Sequence, residues 1–298
     1  MLMKPLLLRL HRWISLIFAI PLAVVIATGL LLSLPPILQT ANVQPGSLTL
    51  QKIEALMDQH DPSGAARSLR FDAFQNVLSI GNVSVDPDTG LKAEGGHWLS
   101  ELIGKSRGVH QRLIGDLGWL VIASTVAMMA VIALGVLMGL PRLTNSLSGW
   151  HKATAWLLLP LVILSPLTAL FMAAGVTFSQ PMARAQAPAL RDAVRMLAAS
   201  HDLSGLEWIR VRGGRMMARI SDQNGQATYV VTREGLKPAP LNWPRSFHEG
   251  TFFGIWGGVM NLVLSLAFIL LLTSGLIIYA RRALRPRRRA RKVEAAQA

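Results

Sequence analysis

Four histidines stand at the front edges of four long apolar stretches of this sequence. They occur as LHRW at His11, VHQRL at His110, GWHK at His151 and FHEG at His248. An imidazole ring binds metal ions or haem iron through a ring nitrogen, and it also hydrogen-bonds in the lipid headgroup zone. For one isolated histidine the headgroup role is the commoner one. Repetition of the same placement in four stretches favours a ligand role instead.

The apolar stretches behind these histidines are long enough to cross a bilayer. The 298 residues are 51% hydrophobic and only 15% charged, which leaves too little polar surface for a soluble protein of this length. A helix needs about 20 apolar residues to span the hydrocarbon core. We therefore predict an α-helical membrane protein whose four transmembrane helices lie within residues 13–34, 117–140, 153–178 and 251–280.

Basic residues are distributed unequally between the segments that join these helices. The two termini and the loop between helices 2 and 3 carry 13 Lys and Arg residues against a single acid, Glu294. The two long loops carry 17 against 15 acids. Because cytoplasmic segments are rich in Lys and Arg, we expect both termini inside and both long loops outside. We interpret the basic C-terminal run as a lipid anchor rather than a nucleic-acid site.

The composition also excludes several kinds of site. There is no cysteine, which rules out disulfides, thiolate-bound iron–sulfur clusters and c-type haem attachment. There is no H-E-x-x-H zinc motif and no G-x-G-x-x-G dinucleotide motif. Any cofactor must therefore be held by nitrogen, oxygen or thioether ligands. Helix 1 is long for a signal peptide and lacks a clear cleavage site, so we expect an uncleaved anchor.

Each half of the chain has the same order of helix, external module and helix. Apolar spacing and turn signals predict one helix followed by short strands in each module. The predicted elements lie at 47–60, 68–71, 76–81 and 83–94 in the first module, and at 188–199, 207–213, 215–225 and 227–240 in the second. The predicted layout is 1–34, 109–140, 151–178 and 247–280 for the helices, 35–108 and 179–246 for two periplasmic α+β modules, 141–150 for a cytoplasmic loop and 281–298 for the tail. Whether the modules share one sheet is open.

Three features in this order resemble a known family. LHRW opens the first helix, VHQRL followed by GDLGW opens the second, and the turn VDPDTG (85–90) lies in the first module. Together they resemble the PepSY-associated transmembrane family over nearly the whole chain. The resemblance implies PepSY-like modules, a bacterial inner-membrane location and b-type haem. It also implies a redox function, which in some members is ferric-siderophore reduction for iron uptake.

The predicted topology sorts the histidines into two pairs. His11 and His151 open helices that start in the cytoplasm, whereas His110 and His248 open helices that start outside. Haem iron takes one imidazole on each side of the macrocycle, so each pair suits one bis-histidine haem. We therefore expect two b-type haems, one held by His11 and His151 near the inner face and one by His110 and His248 near the outer face.

Cations and small residues near the histidines are candidates for further haem contacts. Haem propionates would pair with Arg12 and Lys152 at the inner site and with Arg112, Arg245 and Lys105 at the outer site. Small residues would let a flat macrocycle approach the backbone at the outer site: Gly115, Gly118, Gly250, Gly254, Gly257 and Gly258. His97 is a weaker ligand candidate. His60 and His201 follow the module helices, and we interpret them as solvated helix-end residues.

These features predict an electron conduit from a cytoplasmic or quinol donor to a periplasmic acceptor. The resemblance suggests a ferric chelate or siderophore as the acceptor. With no flavin or NAD(P) motif in the chain, the donor must be separate. One alternative is a non-catalytic membrane sensor or peptidase regulator that binds partners through its PepSY modules. Another is a transporter subunit, which the parallel repeats and the uncharged spans disfavour.

Overall fold

The computed structural model describes residues 3–93, 98–140, 142, 144–180, 186–222 and 225–297, with side chains described up to Leu284 except that of Asp222. The chain forms two compact units. The helical unit comprises Met1–Leu32, Lys105–Gly175 and Leu262–Ala298, and the sheet unit comprises Ser33–Gly104 and Val176–Asn261.

Helices make up most of the described chain. In chain order they are α1 (Met3–Ile17), α2 (Ala19–Leu32), α3 (Leu34–Ala41), α4 (Leu50–His60), α5 (Trp98–Arg112), α6 (Gly118–Leu137), α7 (Leu147–Leu157), α8 (Leu159–Ala173), α9 (Leu190–Ala198), α10 (Trp243–Glu249) and α11 (Gly254–Gln297). The strands are β1 (Ser68–Asp72), β2 (Val77–Ile80), β3 (Val83–Val85), β4 (Leu206–Arg212), β5 (Arg215–Asp222), β6 (Gly225–Thr232) and β7 (Gly235–Pro238).

Within the described residues, three helices are long and apolar enough to cross a membrane: Ala19–Ala41, Gly118–Leu137 and Gly254–Leu284. The pair α7 and α8 makes a fourth candidate only if it counts as one span, because the two helices are bent by 67°. The prediction of a helical membrane protein is therefore confirmed, whereas the third predicted helix is broken. In the helical unit α6 packs against α1, α2 and α8.

Prolines explain the breaks in the first and third predicted helices. Pro160 lies in the first turn of α8, directly after the α7–α8 break. Pro21 follows the break between α1 and α2 at Phe18. A proline has no amide hydrogen and its ring collides with the preceding turn, so the helix bends or ends before it.

The two outer histidines lie on short helices that precede the spanning ones. His110 is in the last turn of α5, and residues Leu113, Gly115 and Asp116 have positive φ angles of 53°, 78° and 60° before α6 begins. His248 is in the last turn of α10, which Gly250 ends with a left-handed cap at φ 68°. The helix entry predicted at each of these histidines is thus a separate element joined by a tight turn.

Both modules contribute to one antiparallel sheet, which settles the question that the sequence leaves open. In the described residues its order is β3-β2-β1-β4-β5-β6-β7. The halves join where β1 pairs with β4, with Leu69 opposite Ile209. All seven strands agree with the predicted strand regions, except that the last predicted region divides into β6 and β7.

One face of this sheet packs under α4 and α9. Alternate residues of β1, β2 and β5 are buried there, and Ile53 and Met57 of α4 and Val194 and Leu197 of α9 join the same core. The Thr49 hydroxyl caps α4 by accepting from the Lys52 amide. The amphipathic helices of the two halves thus close a single hydrophobic core.

The predicted VDPDTG turn is confirmed. Asp86 accepts hydrogen bonds from the amides of Asp88 and Thr89, and Gly90 adopts φ 70°. An Asp side chain that bonds its own following amides stabilises a tight turn.

Candidate functional site

The ring of His11 on α1 is oriented by the backbone of α6. Its Nδ1 lies 3.0 Å from the carbonyl oxygen of Val131. Because a carbonyl oxygen only accepts, Nδ1 must carry the proton, which leaves the lone pair of the neutral ring on Nε2. Nε2 is then available as a metal ligand.

His110 is oriented in the same way by α2. Its Nδ1 lies 3.0 Å from the carbonyl oxygen of Val25 and 3.1 Å from Oγ1 of Thr28. The Thr28 hydroxyl donates to the carbonyl of Val24 at 2.7 Å, so its oxygen can accept from the ring. The lone pair of this imidazole also falls on Nε2.

His151 on α7 makes the equivalent contact with α11. Its Nδ1 lies 2.8 Å from Oγ of Ser274, and the ring also hydrogen-bonds the backbone of Leu271. The Ser274 side chain is almost completely buried and donates to the carbonyl of Leu270. A hydroxyl with its proton already committed is an acceptor for the imidazole N–H.

The three contacts follow one pattern on the receiving helix. A carbonyl at position i accepts from Nδ1, and a glycine stands at position i+4. In two of the three a hydroxyl at i+3 supplies a further acceptor. The three sets are Val25, Thr28 and Gly29; Val131, Leu134 and Gly135; and Leu271, Ser274 and Gly275.

The glycines have a direct steric role in this pattern. Helical side chains point back towards the helix N-terminus, so the residue at i+4 covers the carbonyl of residue i. A Cβ on Gly29 would lie 3.4 Å from Cε1 of His110, and one on Gly275 would lie 3.6 Å from Cε1 of His151. The corresponding distance from Gly135 to Cε1 of His11 is 3.9 Å. A larger side chain at these positions would push the ring off its carbonyl.

The helical unit brings His11 and His151 within electrostatic range of each other, although 140 positions separate them in the chain. Each of these rings is half-buried. They are the two histidines that the sequence assigns to one inner site, so their proximity agrees with that expectation.

His248 belongs to the sheet unit, where its backbone is held firmly. Nδ2 of Asn261 donates to the carbonyl oxygen of His248 at 2.8 Å. Gly250 and Gly257 approach so closely that a Cβ on Gly257 would lie 2.1 Å from the Gly250 oxygen. Glycine is therefore required at this crossing of the α10 cap and α11, and the pairing of His248 with His110 stays a prediction.

The predicted propionate partners have varied surroundings. The Arg12 guanidinium lies over the ring of Tyr279, with Cζ 5.9 Å from the ring centroid. Arg245 is 3.8 Å from a carboxylate oxygen of Glu249. Lys152 and Arg112 are exposed. Their proposed role towards a haem stays a prediction.

The glycines noted in the sequence have turn and packing roles. Gly115 adopts φ 78°, and a Cβ on Gly258 would lie 2.6 Å from Ile37 of α3. His60 and His201 have protein partners rather than solvent, because His60 bonds the Gly90 carbonyl at 2.9 Å and His201 bonds the Tyr229 hydroxyl at 2.9 Å. His97 lies outside the described residues.

The sequence analysis did not identify the glycines that the imidazole rings pack against or the hydroxyls that accept their hydrogen bonds. A signal was present, because each of the three receiving helices contains a glycine followed by apolar residues: ATGLLL at 27–32, ALGVLM at 133–138 and TSGLII at 273–278. The corresponding stretch of α8 reads LTALFM at 167–172, with alanine in place of glycine. Glycine is so common in membrane helices that the pattern gains meaning only beside the rings.

The described residues contain no group of three or more His, Asp or Glu side chains placed to hold a metal ion. No curated protein matches the sequence. A family model described as the PepSY-associated TM region matches residues 8–282, which is nearly the whole chain. The match agrees with the LHRW, VHQRL and VDPDTG motifs and with the apolar spanning helices. The chain therefore belongs to the PepSY-associated transmembrane family.

Proposed function

We propose that the protein is a di-haem b-type cytochrome of the bacterial inner membrane. Its function would be to pass electrons from a cytoplasmic or quinol donor to a periplasmic acceptor, and a ferric chelate or siderophore is the acceptor that family resemblance favours. Haem would supply reversible one-electron redox chemistry at each site. The axial ligands, their orientation and the partners of the haem propionates would come from residues of this chain.

The main support is the state of three imidazoles. His11, His110 and His151 each direct Nδ1 at an acceptor on a neighbouring helix, which leaves Nε2 as the ligand atom. Ligand histidines in metalloproteins commonly donate their second nitrogen in this way, which fixes the tautomer and the ring orientation. A structural imidazole would also need a partner for its N–H. The support lies in the repetition, because all three rings use the same nitrogen, Nδ1, towards a neighbouring helix.

The residues present fit a bis-histidine haem at the inner site. His11 and His151 would be the axial ligands, and the glycines that face them keep bulky side chains away from the rings. Arg12 and Lys152 are the candidate propionate partners there. At the outer site His110 and His248 would be the ligands, with Arg112 and Arg245 as the corresponding cations.

The orientation rests on charge. The segments expected inside carry 13 Lys and Arg residues and one acid, so both termini should be cytoplasmic and the sheet unit periplasmic. Fusing a reporter that is fluorescent only in the cytoplasm to the C-terminus would test this. A fluorescent fusion is expected, and a dark but fully expressed one would reverse the orientation.

The decisive experiment is a reduced-minus-oxidised absorption spectrum of the purified full chain. Sharp α and Soret bands with about two haems per chain are expected, because each bis-histidine site holds one haem. His11→Ala and His151→Ala should each remove the same single haem. The double variant should remove no more than either single change.

His60→Ala is the matched control, because His60 bonds a backbone carbonyl within the sheet unit. It should keep both haems. A colourless, folded preparation from haem-replete cells would end the proposal. Such a result would favour the non-catalytic sensor, for which the shared periplasmic sheet would be the binding element.

A further inference from the structure

The sheet has a second face, opposite the one that packs under α4 and α9. Residues alternate between the faces along each strand, so Leu69 and Ile209 point into the core while their neighbours Arg70 and Trp208 point the other way. We call this second side the basic face, defined by Arg70, Ser79, Ser84, Trp208, Arg210 and Arg219.

Strand register aligns six of its side chains in one row across the sheet. Arg70 is opposite Trp208, Trp208 is opposite Arg219, and the row extends through serines on one side and a threonine on the other. From β3 to β6 it reads Ser84, Ser79, Arg70, Trp208, Arg219 and Thr228. Directly opposed side chains on one face lie within contact distance of each other.

Two arginines stack on the indole in this row. Cζ of Arg210 lies 4.3 Å from the Trp208 ring centroid and Cζ of Arg219 lies 5.1 Å from it. Stacking holds the plane of a guanidinium against the ring, and this also fixes the directions of its in-plane N–H groups. Arg219 also donates to Thr228 and Gln226, so its guanidinium is held in place beside the indole.

A cavity of about 490 Å³ opens at the β1–β3 end of the row, a volume typical of small-molecule sites. Most of the residues that line it have polar or charged side chains. Cations, hydroxyls and amides converge there from β1, β2, β3 and the segments that follow them, as Arg70, Lys92, Ser79, Ser84, Gln75 and Asn82.

The charges around the row favour an anion. The cavity itself is lined by the cations Arg70 and Lys92 and by one acid, Asp72, which lies 2.8 Å from the Arg70 guanidinium. Outside the cavity, Arg210 and Arg219 add two cations beside Trp208, and Glu207 adds one acid beside Arg219. The apolar residues of the lining are Val77, Val83 and Ala93. Charge-assisted hydrogen bonds from Arg and Lys to oxyanions are among the strongest polar contacts.

We propose that the basic face binds a small polyvalent oxyanion, with Arg70 and Lys92 as its charged contacts and the serine hydroxyls as further donors. The size and the polar lining of the cavity fit a small molecule rather than a protein segment. This proposal stands apart from the haem proposal, since it concerns the sheet unit alone and needs no redox chemistry.

The test uses the full-length protein in detergent and citrate as the probe. Isothermal titration should show saturable binding of one citrate per chain. In Arg70→Gln/Lys92→Gln the affinity should fall by at least about tenfold, since both charge-assisted contacts to the anion are lost. Inorganic phosphate, titrated in parallel, distinguishes a carboxylate site from a phosphate site.

Lys52→Gln/Arg191→Gln is the matched control, because it removes two half-buried, ion-paired cations from α4 and α9 on the other side of the sheet. It should leave citrate affinity unchanged. Citrate should also change the tryptophan fluorescence, and Trp208→Phe should abolish that change while binding persists. Circular dichroism would check that both double variants are folded.

Three outcomes would overturn the proposal. The first is that neither citrate nor phosphate binds the native chain. The second is that both double variants weaken binding equally, and the third is that the Arg70→Gln/Lys92→Gln variant binds citrate as tightly as the native chain. If instead these two residues are needed only for phosphatidylglycerol to bind, the face contacts lipid and the small-molecule assignment is wrong.

Discussion

Nδ1 of His151 lies 2.8 Å from the hydroxyl oxygen of Ser274, and that hydroxyl donates its own proton to the carbonyl of Leu270. Thr28 stands in the same relation to His110 and Val24. A buried serine or threonine thus relays a hydrogen bond from an imidazole to the backbone of a spanning helix. The arrangement holds the ring and increases electron density at its other nitrogen.

Ser274→Ala should raise the midpoint potential of the proposed inner haem. The variant removes one hydrogen-bond acceptor from the Nδ1–H group. The imidazole then donates less electron density to the iron through Nε2, which disfavours the ferric state. The Leu271 backbone remains as an acceptor, so we expect a shift on the order of 20 mV. Redox titration of the α band measures it.

Thr273→Ala is the neighbouring control. Thr273 is exposed and its hydroxyl bonds the Ile269 carbonyl of its own helix. The potential should stay at the native value. Equal shifts in the two variants would mean that the Ser274 contact has no specific effect on the ligand.

Gly29→Val should displace the His110 ring and release the proposed outer haem. A Cβ on Gly29 already lies 3.4 Å from the ring, so the branched carbons of valine would overlap it. Haem content should fall from about two to about one per chain, measured by the pyridine haemochrome method. Gly29→Ala, whose single methyl makes an ordinary contact, should keep both haems.

Gly257→Ala should destabilise the sheet unit by about 1–3 kcal/mol. Its Cβ would lie 2.1 Å from the Gly250 oxygen, so the α10 cap must move away from α11. Thermal unfolding followed by circular dichroism would measure the loss. Gly104→Ala is the comparison, because a Cβ there meets no atom within 4 Å, and helix propensity should make it neutral or slightly stabilising.

Glu207 should make the stability of the sheet unit fall as pH rises. Burial, opposed by Arg219, raises the pKa of Glu207 from 4.5 to about 7. The folded state therefore holds this proton more tightly than the unfolded chain, and the unfolding free energy falls between about pH 5 and about pH 7.

Glu207→Gln should remove that part of the pH dependence, since Gln226, which donates to Glu207, would keep an amide oxygen as its partner. The pH-dependent decrease in unfolding free energy that this variant abolishes should be on the order of 1–3 kcal/mol. Chemical denaturation at pH 5, 6 and 7 would measure it. An identical pH profile in the native chain and the variant would contradict a proton held at Glu207.

The break in the third helix was partly readable from the sequence. Pro160 is visible there, and its missing amide hydrogen predicts a kink. The 67° bend was not, because the direction and size of a kink depend on the helices packed around it. The separate helices that carry His110 and His248 were hidden for a similar reason, since their turns depend on positive φ angles at Leu113 and Asp116, where sequence signals are weak.

The sequence alone determined the features that depend on neighbouring residues. Apolar runs predict the spanning helices, alternation predicts the strands, and the VDPDTG turn follows from an Asp and a Gly at fixed spacing. The basic termini likewise predict an orientation. Each of these patterns is complete within about 30 residues, so folding of the rest of the chain does not alter it.

Only the tertiary structure decided the contacts between distant segments. The sheet closes because Leu69 pairs with Ile209, and the imidazoles meet acceptors 85, 120 and 123 residues away. A helix carbonyl can accept a hydrogen bond from a ring N–H of another helix only where the two helices pack so that no side chain covers that carbonyl. That packing depends on the shapes of both helices together, and no local pattern contains it.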